Sequence, residues 1–273
     1  MRNIFALAAA LIFTVLSSHA QISTPAASPS CTITQQIGLT NLSLEYSRPS
    51  ARGRTIFGDL LPYGVEWRTG ANSPTTLTFD KPVMIRGQEL AAGSYVISSV
   101  PGKTEWTVTF SQNDQKVMSL KIMPVAYPIH VETLSIQFEK ITETSADLQI
   151  LWEKTLIAIP MAFKTDEQVM AQIESFAKNP EASLANAYYQ AASYYLNTGR
   201  DLNKALEWVN KAIAVNDGFF WQHRTKALIL AGLGKYKEAI ASAQVSTEKS
   251  KAAGNADYPR LNDKSIAEWQ AKK

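Results

Sequence analysis

The sequence has few of the residues that most often form covalent or metal-bound sites. It contains one cysteine and three histidines in 273 residues. A single cysteine cannot form an intramolecular disulfide, so the fold must depend on buried hydrophobic cores. His130 and His223 lie far apart and have no His or Cys neighbours at zinc-ligand spacing. We therefore predict no metal site and no cofactor.

Neither sign of charge dominates the chain. It has 27 Lys and Arg against 24 Asp and Glu, and the two signs are interspersed. A nucleic-acid-binding protein usually concentrates its basic residues on one face. Beyond residue 20, no apolar run reaches the length of about 20 residues that a transmembrane helix needs. We predict no nucleic-acid partner and no stable membrane span.

The N-terminus has the three parts of a secretory signal peptide, which we assign to residues 1–20. Arg2 precedes an apolar run from Ile4 to Leu16, and small residues end at Ala20. The pattern predicts export, to the periplasm or the extracellular space, with cleavage after Ala20. A membrane anchor is the alternative, but the apolar run is shorter than a span. Residues 21–31 are rich in Ser, Pro and Ala, which predicts a flexible lead-in.

Residues 32–162 carry the alternating pattern of half-buried β-strands. Leu42, Leu44 and Tyr46, for example, alternate with polar neighbours. Turn signals separate such runs, and Arg86-Gly87-Gln88 predicts a hairpin. About nine strands without intervening helices predict an antiparallel β-sandwich or barrel.

Residues 165–273 carry helical periodicity, which predicts a second domain. Thr165 to Gln168 reads as a capping box, and Asn179-Pro180 as the start of the next helix. Further helices are predicted over four stretches: 202–213, 219–232, 236–253 and 263–271.

An internal repeat follows from the spacing of apolar residues in this second domain. Residues Leu196, Leu202, Ala205, Leu206 and Val209 recur 34 residues later as Leu230, Tyr236, Ala239, Ile240 and Ala243. This period and pattern resemble the tetratricopeptide repeat, although Asn216-Asp217-Gly218 replaces the usual proline between repeats. The resemblance implies stacked helical hairpins, whose groove would accept a protein or peptide partner.

The segment from Tyr46 to Asn72 has the most unusual composition in the chain: four arginines, two prolines, four glycines and a tryptophan. Arginine guanidinium groups suit carboxylate, phosphate and sulfate ligands. The candidate ligand-binding residues are Arg48, Arg52, Arg54, Trp67, Arg68 and Asn72.

Two interpretations of these arginines stay open at this point. In the structural one, the arginines bind Glu45, Asp59, Glu66 and backbone carbonyls, and so fix a long loop onto the sandwich. In the functional one, two or more of them converge on a small anionic ligand.

The same segment carries a family resemblance. The stretches at 46–50, 52–58, 62–64, 67–72, 90–95 and 105–108 resemble domain of unknown function family 2911. The resemblance spans about residues 28–161 and implies an exported bacterial β-domain of the cell envelope, sometimes joined to helical repeats. It implies no activity. Residues 111–116 are shorter than the corresponding hairpin of the family, so no site built on that hairpin is implied.

The sequence shows no catalytic set of nucleophile, base and orienting group. The leading hypothesis is therefore an exported binding or protein-interaction module. The alternative is a hydrolase or carbohydrate-active enzyme that acts on an acidic substrate in a cleft between the domains, with a carboxylate as acid or base. A purely structural envelope protein is a third interpretation.

Overall fold

The computed structural model describes residues 24–178 and 185–272. The chain divides into two compact units, Met1–Thr165 and Asp166–Lys273. The first is rich in antiparallel sheet and the second is helical, which confirms the predicted fold class. The predicted signal peptide and the predicted helix start at Asn179-Pro180 lie outside the described residues. Within the described ranges, no helix has the length and hydrophobicity to cross a membrane.

The first unit, here called the β-unit, contains two antiparallel sheets. Its strands are β1 (Ser30–Ile37), β2 (Thr40–Ser47), β3 (Thr75–Phe79), β4 (Val83–Ile85), β5 (Gln88–Leu90), β6 (Gly93–Val100), β7 (Trp106–Gln112), β8 (Gln115–Ile122), β9 (Val125–Glu139) and β10 (Ser145–Phe163). Six strands form one sheet in the order β1-β2-β3-β6-β7-β8, and four form the other in the order β5-β4-β10-β9. The predicted hairpin at Arg86-Gly87 joins β4 to β5.

Alternation along the strands builds the core of the β-unit. In β2, Leu42, Leu44 and Tyr46 are buried while Asn41 and Glu45 are exposed. The same alternation on the paired strands buries one face of each sheet, because successive side chains of a strand point to opposite faces.

A long loop between β2 and β3, residues 48–74, runs across one part of this core. We call it the arginine loop. It contributes Phe57 and Trp67, whose rings contact those of Trp106 on β7 and Trp152 on β10. The loop therefore belongs to the packed interior as well as to the surface.

The second unit, here called the helical unit, continues from α1. Its helices are α1 (Thr165–Lys178), α2 (Ala185–Asn197), α3 (Leu202–Val215), α4 (Phe220–Gly232), α5 (Tyr236–Ala252) and α6 (Asp257–Gln270). Asp201 caps α3, since its side chain accepts hydrogen bonds from the N–H groups of Asn203 and Lys204. The prediction for the last helix was too short, because α6 begins at Asp257 rather than at residue 263.

The predicted capping box at the start of α1 is wrong. The hydroxyl of Thr165, the last residue of the first unit, donates a hydrogen bond to the backbone oxygen of Glu143, 2.8 Å away. The buried Oε1 of Gln168 has no hydrogen-bond partner among the described residues. A tertiary contact has replaced the local bond that the motif predicts.

Within the helical unit, consecutive helices form two hairpins. α2 packs on α3 and α4 packs on α5, while α4 also contacts α2, α3 and α6. One hydrophobic cluster surrounds Tyr195, Trp208 and Ile229, and a second surrounds Leu230 and Trp269. Helix α4 contributes to both clusters and is the central helix of the unit.

Candidate functional site

Aromatic rings fill the space beneath the arginine loop. The ring centroids of Phe57 and Trp106 are 4.9 Å apart, and those of Trp67 and Trp152 are 5.9 Å apart. Only 8% of Trp67 is exposed. Such ring pairs stabilise a core beyond the burial of their area. Trp67, a predicted ligand-binding residue, is therefore a core residue.

Backbone bonds hold Trp67 in this position. Its N–H and C=O groups exchange hydrogen bonds of 2.7 and 2.8 Å with Ser99 on β6. The indole N–H donates to the backbone oxygen of Gly70 at 2.8 Å. A Cβ on Gly70 would lie 2.8 Å from Oγ1 of Thr75, closer than real Cβ contacts come, so this turn requires glycine.

Arg48 and Arg54 both donate to backbone carbonyls. Nε of Arg48 lies 3.0 Å from the oxygen of Leu134, a residue of β9. Arg54 donates to the carbonyls of Ala51 and Ser50 within its own turn, at 2.9 and 2.8 Å. Arg48 thus joins the arginine loop to the four-stranded sheet, whereas Arg54 stabilises the loop locally.

Arg52 and Asn72 bind the segment that precedes β1. A terminal nitrogen of Arg52 lies 3.2 Å from the oxygen of Ala27, and Nδ2 of Asn72 lies 3.0 Å from the oxygen of Ser28. The backbone N–H of Arg48 donates to the oxygen of Pro29 at 2.8 Å. Three consecutive carbonyls are therefore held by three donors of the arginine loop.

Arg52 and Asn72 also share an unusual backbone. Both have positive φ angles, 53° and 57°, in the left-handed region that L-residues seldom adopt. The N–H of Arg52 donates to the carboxylate of Glu132 at 2.7 Å, which helps to hold this conformation. That hydrogen bond, followed by the bond from His130, lowers the pKa of Glu132.

The fourth arginine also donates to a carbonyl: Arg68 bonds to the backbone oxygen of Asn72. In the described part of the chain, none of the four arginines forms an ion pair with Glu45, Asp59 or Glu66. The backbone carbonyls named in the structural interpretation are the observed acceptors, whereas its carboxylate partners were wrong. Among the described residues, no two of the four guanidinium groups share an acceptor.

The histidines and carboxylates do not assemble a metal site among the described residues. His130 lies 3.3 Å from Glu132 on the surface of β9. His223 contacts the backbone oxygen of Asp217 at 3.0 Å, and burial lowers its pKa. Cys31 is a free, half-buried thiol that packs against the core of the β-unit.

The arginine loop, its aromatic core and all but the last two residues of the sheets lie in the part of the chain that resembles a known family. Residues 28–161 match DUF2911, a family of proteins of unknown function. No curated protein matches the chain. The DUF2911 region holds all six predicted ligand-binding residues, and the helical unit follows it.

A second group of polar residues lies in the helical unit, and the candidate ligand-binding residues from the sequence did not include it. Tyr189 is on α2, Arg224 on α4 and Tyr258 on α6, and all three are half-buried. Their positions in the sequence are 35 and 34 residues apart, close to the 34-residue spacing of the apolar pattern. The 34-residue spacing was the one sequence signal that could have grouped these three residues.

Arg224 differs from the arginines of the β-unit in its partners. One terminal nitrogen donates to Oδ1 of Asn262 at 2.9 Å, and both terminal nitrogens lie 3.2 Å from Oγ of Ser265. These acceptors are neutral side chains on α6. Burial lowers the pKa of Arg224, and no carboxylate contributes to that shift. Its positive charge has no acidic partner within the described ranges.

Aromatic residues border this group. The ring of Phe220 contacts Tyr258 at 4.6 Å, and the ring of Phe219 stacks on Trp221 at 4.5 Å. Phe219 is 36% exposed. Burial raises the pKa of Tyr258, with a further rise from Tyr189 and a decrease from Arg224. Tyr258 therefore lies within electrostatic range of both other residues.

Proposed function

We propose that this protein is an exported binding protein in which the helical unit recognises a protein or peptide partner. The β-unit serves as a scaffold, and the arginine loop stabilises it. The tetratricopeptide-like character of the helices and the export of the chain are parts of this proposal. The hydrolase alternative has no described contact in its favour.

The observation that carries the proposal is the face shared by α2, α4 and α6. Tyr189, Arg224 and Tyr258 on these helices are half-buried polar residues, Phe220 contacts Tyr258, and the exposed ring of Phe219 stacks on Trp221. Tyrosine, tryptophan and arginine are the residue types most enriched at sites that dominate binding energy. The hairpin order of the helices also agrees with repeat proteins, in which such a shared face binds partners.

The contacts of the arginine loop also support a scaffold role for the β-unit and a binding role for the helical unit. Each of its guanidinium groups already donates to a backbone carbonyl, and its tryptophan is buried. Charged donors bound to carbonyls stabilise the fold, and a new ligand would have to displace those bonds at a cost in free energy. The loop is thus better suited to hold the β-unit together than to bind an exchangeable anion.

Site-specific photo-crosslinking tests the proposed partner. A photoreactive phenylalanine analogue replaces Phe219 in the full chain, and the matched control carries it at Val117, an exposed residue of β8. We expect a discrete crosslinked product in cells from position 219 and none from position 117. Equal crosslinking at both positions, or none at position 219, contradicts the proposal.

Export is tested by the N-terminus of the mature protein. Expression of the full chain in a bacterial host, followed by fractionation and N-terminal sequencing, should give a periplasmic or secreted protein that begins at Gln21. A protein that retains Met1 or remains in the cytoplasmic fraction contradicts this part of the proposal.

A further inference from the structure

We propose that one edge of the β-unit is a docking surface for a membrane of anionic phospholipids. The surface is formed by residues 123–131, which join β8 to β9 and continue as the first half of β9. We call these residues the apolar edge segment. This second surface lies on the β-unit and does not rest on the partner proposed for the helical unit.

The side chains of the apolar edge segment are unusually exposed for their chemistry. Met123, Ile129 and Val125 are the most exposed large hydrophobic residues in the described part of the chain, at 75%, 64% and 54%. All three lie within seven residues, and the stretch from Ile122 to Val131 contains no Asp, Glu, Lys or Arg. Single exposed apolar residues are common, but a cluster of them marks a contact with a protein or a membrane.

The backbone of this segment lies at the open edge of a sheet. β9 is the last strand of the four-stranded sheet. The arginine loop pairs with β9 further along, where Ala51 donates to the oxygen of Glu132 at 2.7 Å. Leu134 in turn donates to the oxygen of Pro49 at 2.9 Å. Among the described residues, the loop makes no such backbone bond to residues 125–131. The cover that the loop gives to β9 therefore ends beside the apolar edge segment.

Two prolines decide which kind of partner suits this edge. Pro124 and Pro128 lie within the segment and have no N–H group to donate to a neighbouring strand. Prolines on an edge strand oppose the addition of a further strand, whether it comes from another protein or from a second copy. A lipid surface contacts side chains and needs no backbone donors. The exposed apolar side chains and the prolines together favour a membrane over an added strand.

Basic residues border the apolar edge segment. Arg86 donates a hydrogen bond to the backbone oxygen of Lys121, which stands two residues before the segment and pairs with Glu105. Lys154 lies on β10, in the stretch that pairs with the segment. Arg86 and Lys154 are exposed, and neither forms an ion pair among the described residues. Basic residues beside an exposed apolar surface attract the headgroups of anionic lipids.

Two carboxylates close to the segment in sequence or pairing are bound by the arginine loop. Glu132 follows the segment, and its carboxylate accepts a hydrogen bond from the N–H of Arg52 at 2.7 Å. The carboxylate of Glu153 on β10 accepts one from the N–H of Phe57 at 3.4 Å. The loop thus engages both negative charges, whereas Arg86 and Lys154 have no described carboxylate partner. The charges of this edge therefore suit an anionic surface.

Vesicle binding tests the docking surface. The protein is the chain from Gln21 onward, so that the apolar run of residues 4–16 cannot itself bind lipid. The probes are vesicles of phosphatidylglycerol and phosphatidylcholine in equal parts, and vesicles of phosphatidylcholine alone. We expect saturable co-sedimentation with the anionic vesicles that decreases with added salt, and binding to the neutral vesicles at least about tenfold weaker. Equal binding to both kinds of vesicle, or binding to neither, would overturn the proposal.

Substitutions locate the apolar contact. Met123→Ser combined with Ile129→Ser removes the two most exposed apolar side chains and should weaken binding to the anionic vesicles at least about tenfold. Because both side chains point into solvent, circular dichroism should show an unchanged fold. The matched control, Val117→Ser, changes an exposed hydrophobic residue of β8 outside the segment and should leave binding unchanged. Similar losses in the double variant and the control would contradict the assignment.

A charge substitution tests the preference for anionic lipid. Lys154→Gln should weaken binding to the anionic vesicles about fivefold and leave binding to the neutral ones unchanged. Lys116→Gln is the matched control, because it removes an exposed lysine of β8 outside the segment. Undiminished binding by Lys154→Gln, or an equal loss in Lys116→Gln, would count against the proposal.

A second copy of the chain is the competing occupant of this edge. Sedimentation velocity without lipid distinguishes the two. A monomer that binds anionic vesicles supports the proposal. A dimer that the combined Met123→Ser and Ile129→Ser substitutions dissociate would identify the segment as a self-association surface, and the membrane proposal would be wrong.

Discussion

The two units use arginine and aromatic side chains in opposite ways. In the arginine loop, Trp67 is 8% exposed and Arg48 donates to the backbone oxygen of Leu134. These side chains, which the sequence marked as candidates for ligand binding, make contacts within the fold. On the helical face, Phe219 is 36% exposed and Arg224 bonds only to neutral side chains of α6. In our proposal, the segment of unusual composition is the scaffold, and the helix of ordinary composition carries the candidate site.

The physical difference lies in which acceptors each arginine has. A loop of 27 residues, 48–74, has many backbone carbonyls that no strand satisfies, and charged donors can satisfy them. A helix satisfies its own carbonyls internally. An arginine on a helix must therefore find side-chain or external acceptors, and Arg224 finds only neutral ones among the described residues.

The largest effect should come from removing the ring that anchors the arginine loop. Trp67→Ala deletes a buried indole that contacts Phe57, Trp106 and Trp152, and should lower the free energy of unfolding by about 3–5 kcal/mol. Urea unfolding followed by circular dichroism measures this.

The control for Trp67 is the half-buried Trp221 of the helical face. Trp221→Ala loses two ring contacts and should cost about 1–2 kcal/mol. Equal losses for the two tryptophans would show that the aromatic residues of the two units have the same role.

A smaller effect is expected for the arginine that joins the loop to β9. Arg48→Met leaves the carbonyl of Leu134 without its charged donor and should cost about 1–3 kcal/mol in unfolding free energy. Arg54→Met is the matched control, because its exposed side chain binds carbonyls of its own turn, and should change stability by no more than about 0.5 kcal/mol. A greater loss in Arg54→Met would reverse the roles assigned to these residues.

The smallest effect should be a pH dependence in the helical unit. Burial lowers the pKa of His223, so the unfolded chain takes up a proton at a higher pH than the folded one. The stability should be complete above the unfolded pKa of about 6.5 and decrease as the pH falls through that value toward the folded pKa.

Thermal unfolding at pH 7.5 and pH 5.5 measures this dependence. His223→Gln should reduce the difference in unfolding temperature between the two pH values, whereas substitution of the exposed His130 should leave that difference unchanged. An unchanged pH dependence in His223→Gln would show that other groups cause it.

Local patterns predicted the elements of this protein well. The alternation at Leu42, Leu44 and Tyr46 predicted β2, and the helical spacing of apolar residues predicted helices close to α3, α4 and α5. The first turn of α1 was predicted wrongly, because Thr165 bonds to Glu143, a residue that is distant in the sequence and lies outside the local motif. Arg224 was missed for the same reason, since its importance depends on which residues of α6 lie opposite.

The sequence by itself determined the strands, the helices, the hairpin at Arg86-Gly87 and the family match, since each depends on residues close together in the chain. Only the tertiary structure decided what each arginine does. Arg48 donates a hydrogen bond to the carbonyl of Leu134, and Arg224 donates one to the side chain of Asn262; each acceptor is distant from its donor in the sequence. A guanidinium has the same chemistry in both places, and its role follows from which acceptors the folded chain brings to it, a backbone carbonyl for Arg48 and neutral side chains for Arg224.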